Sequence, residues 1–146
     1  MRLPTVPRDL WTQDGSLRDV LIRETTLTDW AVLLDLSRRH AVDYQVDGAA
    51  MALPSAERIF ASRDVSHLLR IRVGQADLNC HFFLVEEIEL DIDPRQIIEL
   101  ETHQALLGFL ADVATATGNT VDITEENSPD VVLLRFDPTS GRWLSP

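Results

Sequence analysis

The sequence predicts an α+β fold: a mostly antiparallel sheet of about six to seven strands packed with about three helices. Three observations carry that prediction. Leu69, Ile71 and Val73 alternate with Arg70 and Arg72, and after Gly74-Gln75 the residues Leu78, Cys80 and Phe82 alternate with Asp77, Asn79 and His81. This is the period of two that a half-buried strand requires, twice, around a turn. Leu106, Leu107, Leu110, Val113 and Ala114 instead recur at helical spacing. Further strand and helix patterns are mixed along the chain rather than alternating in regular units. With 146 residues, 45% of them hydrophobic, residues 1–146 read as one globular domain.

Taken in order, residues 1–16 carry Pro4, Pro7 and Asp14-Gly15-Ser16, and they read as an irregular arm ending in a turn. Leu17 to Glu24 is a first strand, with Leu17, Val20 and Ile22 apolar. Thr26 and Asp29 have the spacing of a capping box, which opens a helix through about Arg39 with Trp30, Leu33 and Leu34 on one face. Arg38, Arg39 and His40 follow where positive charge suits a helix C-terminus, and His40 reads as a capping group. Val42 to Val46 is a second strand closed by Asp47-Gly48, and Pro54-Ser55 introduces a short helix ending near Ala61.

The hairpin around Gly74-Gln75 has one register in which pattern and turn chemistry agree. Val73 then faces Ala76, Arg72 faces Asp77, Ile71 faces Leu78 and Leu69 faces Cys80. The chain stays extended to Asp93 with a reversal near Val85 to Glu87, and Asp93-Pro94 with Gln96 marks a helix start. A helix from about Thr102 to Thr117 ends at Gly118-Asn119. Thr120 to Thr124 and Val131 to Phe136 are the last strands, joined by a loop holding Asn127-Ser128-Pro129. Because Val131-Val132-Leu133-Leu134 is apolar on both faces, this strand is expected to be central and covered on each side. Trp30 belongs to a helix core face, while Trp11 and Trp143 are read as plugs of the domain's flanks.

Charge is unevenly distributed. The chain has 24 acidic and 13 basic residues, a net of −11, and all of the basic residues are arginine. Up to Val73, ten acids balance ten arginines; from Gly74 to Leu134, thirteen acids face only Arg95, a net of −12. Nucleic acid is therefore a disfavoured partner, since phosphate binding needs a clustered positive surface, and a basic protein or a cation is favoured. The absence of lysine excludes Schiff-base, phosphate-loop and serine–lysine chemistry. One cysteine, Cys80, allows no internal disulfide, and no apolar run approaches the ~18 residues of a membrane span. Met1 to Trp11 lacks a signal peptide's apolar stretch, so a cytoplasmic location without membrane contact is expected.

Glu87, Glu89, Asp91 and Asp93 occupy alternate positions, with Ile88, Leu90 and Ile92 between them. On a strand, successive carboxylates of that face lie about 7 Å apart, too wide for neighbours alone to chelate one metal. The plainest reading is a solvated face that also protects a sheet edge, and the functional reading is a protein-binding surface. Cys80 and His81 are adjacent, but strand geometry points them to opposite faces, so they form no nucleophile–base pair. His81 faces outward with Asn79, within reach of the acidic strand, and is the histidine to watch; His67 and His103 have no partner at a ligand spacing. There is no nucleophile elbow, phosphate loop, paired-cysteine zinc spacing or two-histidine helix, so no catalytic residue, metal site or cofactor is assigned.

Three features, the Asp14-Gly15-Ser16-Leu17 start, the His81-Phe82-Phe83 strand leading into Glu86 to Pro94, and the Glu126-Asn127-Ser128-Pro129 loop, are similar to the layout of small acidic α+β proteins of bacterial toxin–immunity systems. The resemblance is one of size, charge and layout. It implies a non-catalytic immunity or inhibitor protein that neutralises a basic partner, and an acidic surface steers toward such a partner. The partner-binding residues expected are Glu86, Glu87, Glu89, Asp91, Asp93, Glu125, Glu126 and Asp130. Two readings from other classes stay open: a metal-dependent enzyme using carboxylates near His81, and a homo-oligomeric structural or regulatory subunit.

Overall fold

The computed structural model describes residues 6–146. Its strands are β1 (Arg18–Arg23), β2 (Ala41–Val46), β3 (Ala49–Met51), β4 (His67–Val73), β5 (Ala76–Leu84), β6 (Glu87–Ile92), β7 (Val121–Glu125), β8 (Ser128–Asp137) and β9 (Arg142–Leu144). They form one nine-stranded sheet in the order β3-β2-β4-β5-β6-β1-β7-β8-β9. Every pairing is antiparallel. The helices are α1 (Leu27–Ser37), α2 (Ala56–Ala61) and α3 (Leu100–Thr117). The α+β class and the three helices match the sequence expectation; the strand number does not. The two additional strands, β3 and β9, are three residues each, too short for an alternation to register.

The hairpin forms in the expected register, with Leu69 opposite Cys80, Ile71 opposite Leu78 and Val73 opposite Ala76. Gly74 turns at φ 60°, and a Cβ there would stand 3.1 Å from the backbone of Thr102, so glycine answers both the turn and the close approach of α3. Thr102 Oγ1 accepts from the Gln75 backbone N–H, tying the first turn of α3 to this hairpin. The capping box of α1 is complete: Asp29 N–H donates to Thr26 Oγ1, and Thr26 N–H donates to the Asp29 carboxylate. Gly118 ends α3 in the left-handed region at φ 73°.

One face of the sheet carries Val20, Ile22, Leu69, Ile71, Leu78, Cys80, Ile88, Leu90, Ile92 and Ile123, all fully buried. They share a core with Trp30, Leu33 and Leu34 of α1, Ile59 of α2, and Leu106, Leu110 and Val113 of α3. All three helices thus cover that face, and the opposite face carries mostly polar side chains, with Leu21, Leu68 and Phe83 among them. The middle strand is β6, and its neighbour β1 is an inner strand with Arg18 to Ile22 buried throughout. The expected central strand, Val131 to Leu134, lies in β8, second from the edge. Its neighbour β9 pairs only with Arg135, Phe136 and Asp137, and Val131 is 43% exposed. Only Leu133 and Leu134 of the run pack on the core, and an apolar run does not record how many strands lie beyond it.

Three smaller expectations change. The His40 ring lies edge-on to Phe109 at 5.1 Å instead of capping α1. Asp93-Pro94 opens only a 3₁₀ turn, Pro94–Gln96, before α3 begins at Leu100. Ser128 and Pro129 lie inside β8, and Glu126-Asn127 makes the turn, with Asn127 at φ 56°. The arm expected over 1–16 is irregular from residue 6 onward, while residues 1–5 lie outside the described part. Trp11 is fully buried and Trp143 is partly buried against Phe136, as flank plugs should be. Among the described residues, no helix is long and apolar enough to cross a membrane.

Candidate functional site

The polar face of the sheet follows from the alternation on β6. Ile88, Leu90 and Ile92 point to the helices, so Glu87, Glu89 and Asp91 point away from them. Strand β6 sits in the middle of the sheet, between β5 and β1, so these acids protect no edge. Two ladder rows cross the face. One runs Asp43, Arg70, Asn79, Asp91, Asp19, Thr124; the next runs Gln45, Leu68, His81, Glu89, Leu21, Asp122.

Asp91 and His81 are the best-connected pair in it. The His81 Nε2 and an Asp91 oxygen are 2.6 Å apart, and Asn79 Nδ2 donates to the other Asp91 oxygen at 2.9 Å. The hydrogen bond to Asp91 raises the His81 pKa above its ordinary value, against burial, which lowers it. Burial pushes Asp91 upward, but the hydrogen bonds from His81 and Asn79 outweigh it and hold the carboxyl below its usual range. The His81 ring stacks on Phe83, whose side chain is exposed.

Around this pair the acids are crowded. Asp19 is buried and accepts the Asn127 backbone N–H at 2.8 Å. Burial raises its pKa, and the charges of Asp91 and Glu126 raise it further. Glu89 is raised by burial first, then by the charges of Asp19 and Glu87. Elsewhere on the face, charge is already matched. Asp122 holds Arg23 at 2.9 Å and Arg135 at 2.6 Å, Arg70 meets Asp43 at 3.8 Å, and Arg72 meets Asp77 at 3.2 Å. Among the described residues, Asp19, Glu87 and Glu89 have no basic group within 4.0 Å.

The expected binding residues therefore divide. Glu89 and Asp91 come together beside His81, and Glu87, on the same face, stands opposite Arg23 one step further along the strand. Asp93 turns to Arg95, whose guanidinium lowers its pKa, and caps the 3₁₀ turn. Glu126 accepts the Leu17 backbone N–H at 2.9 Å, and Glu125 stands opposite Arg18 in the ladder, on the other parity of the sheet. Glu86 is exposed in the β5–β6 turn, and Asp130 lines a groove with Val131 and Leu144 at the far end. Asp19 was missed. Its signal was its alternation with Val20 and Ile22, which became informative only once β1 paired with β6. Cys80 lies under the helices, where burial pushes its thiol pKa up, away from His81. Among the described residues, no three His, Cys, Asp or Glu side chains are grouped to hold a metal ion.

The pair makes stability pH-dependent in a definite sense. His81, raised in the fold, contributes stability that is fully present below about pH 6.5 and is lost as pH rises through its folded pKa. Asp91, lowered in the fold, contributes above about pH 3.8 and loses that contribution as pH falls through its folded pKa. Both contributions are therefore complete between these limits. The difference in melting temperature between the native chain and His81→Asn should widen as pH falls from 8.5 to 5.5. A difference that is constant or shrinks over that range would contradict the charged pair.

No protein-family model matches the chain, and no curated protein or solved structure matches it.

Proposed function

We propose that this protein is a non-catalytic binding module whose polar sheet face receives a basic protein partner, as an immunity or inhibitor protein receives a basic toxin. The observation that carries this reading is the crowding of Asp19 and Glu89 beside Asp91, with Glu87 next along the strand, none of the three held in an ion pair among the described residues. Carboxylates held ionised in such surroundings raise the energy of the free protein. A guanidinium or ammonium group supplied by a partner removes that repulsion and exchanges it for charge-assisted hydrogen bonds. The exposed Phe83 ring, stacked on His81, gives such a cation an aromatic neighbour as well.

The test is capture of partners from the native host, followed by association kinetics on the purified pair. Association should slow steeply as added salt shortens the Debye length from about 30 Å to about 8 Å. Recovery of acidic partners alone, or association indifferent to salt, would defeat the acidic-face reading.

A further inference from the structure

On the helix side of the sheet, away from the acidic face, a groove of about 360 Å³ lies between the N-terminal segment, α3 and the last two strands. Its walls are mainly Leu10, Leu107, Leu133, Leu134 and Trp143, with His103 among them. His103 is only 9% exposed. Its Nδ1 accepts the indole N–H of the fully buried Trp11 at 2.9 Å. An indole nitrogen can only donate, so Nδ1 carries no proton and the neutral ring holds its proton on Nε2. His103 itself lines the groove, and Nε2 is on the side of the ring away from the Nδ1 bond to Trp11. Among the described residues, that Nε2–H has no acceptor, and no buried side-chain nitrogen or oxygen is both sealed from solvent and unpaired.

An apolar cleft of this size with one oriented donor is the usual form of a small-molecule site. We propose that the groove binds a small, neutral, largely apolar molecule bearing one carbonyl-type acceptor, which receives the His103 Nε2–H. Neutrality follows from charge. An anion would meet Asp9 at the groove and a chain of net charge −11, and a cationic centre, although Asp9 would attract it, cannot accept the His103 N–H. Burial lowers the His103 pKa, keeping the ring a neutral donor rather than an imidazolium.

The test uses acetophenone as probe and ethylbenzene as its counterpart without the acceptor, titrated into the full chain. The indole N–H resonances of Trp11, Trp30 and Trp143 report the outcome. Acetophenone should shift the Trp143 and Trp11 signals saturably and leave Trp30 in place, and ethylbenzene should bind about threefold more weakly or worse. His103→Phe should equalise the two probes. Because that change also removes the acceptor of Trp11, Leu107→Trp provides a second variant: it fills the groove from a partly buried position and should abolish the shifts while Trp30 keeps its native resonance. Absence of saturable shifts at Trp143, equal affinities for the two probes in the native chain, or shifts that survive Leu107→Trp would each overturn the proposal.

Discussion

Reversing Glu87 and Glu89 to arginine lowers the association rate with a basic partner by about tenfold or more, because steering depends on the sign of the local field. The same double variant keeps its fold, and its melting temperature at neutral pH equals or exceeds that of the native chain. The reason is local. Glu89 is pushed toward protonation by burial and by Asp19 and Glu87, so a positive group at 89 removes its repulsion with Asp19, and that relief outweighs the like charge that arginine at 87 sets opposite the half-exposed Arg23. Asp91 is unsuitable for this experiment, since its reversal would break the hydrogen bonds from His81 and Asn79. Stopped-flow association and thermal melting on the same samples decide the matter. A slower rate with unchanged or higher stability marks residues that serve binding at some expense to the fold. An unchanged rate would remove the acidic face from the binding mechanism, and a large loss of stability would show these carboxylates to be structural.

The largest loss of stability is expected at Trp30, where replacement by alanine should cost about 3–5 kcal/mol. The side chain is fully buried, stacked on Phe82 and edge-on to Phe60, both at 5.0 Å between ring centroids. It connects α1 with α2 and with β5. Its indole N–H also donates to the Val85 carbonyl at 2.9 Å, at the turn into β6. Trp30→Phe should cost less, because it keeps an aromatic ring and because Thr25 Oγ1 still donates to Val85 at 2.7 Å. Denaturant midpoints of the two variants against the native chain measure both effects. A cost below about 1 kcal/mol for Trp30→Ala would mean that the α1–α2 layer contributes little to the cooperative unit.

What could be read from the residues alone was local. The Leu69–Leu84 alternation with Gly74-Gln75 determined the hairpin and its register, because a slip of one residue would send Leu69, Ile71, Leu78 and Cys80 to the wrong face. Thr26 with Asp29 determined where α1 begins, and Gly118 where α3 ends, because each satisfies backbone groups within a few residues of itself. The face taken by Glu87, Glu89 and Asp91, and the reach of His81 to that strand, followed from the same period of two. Which strands become neighbours did not. The first strand of the chain pairs with β6 and β7, about seventy to a hundred residues later, and only that pairing brings Asp19 beside Asp91. Neither Asp19 nor its neighbours encode a partner; the choice is made by burying one whole face of nine strands under three helices at once. Trp11 and His103 are a second case, an ordered arm and a helix start joined by one hydrogen bond across 92 residues. Alternation decides the face a side chain takes, through covalent geometry acting over a few residues. The neighbours it meets there are decided by non-local packing, which no short stretch of this chain contains.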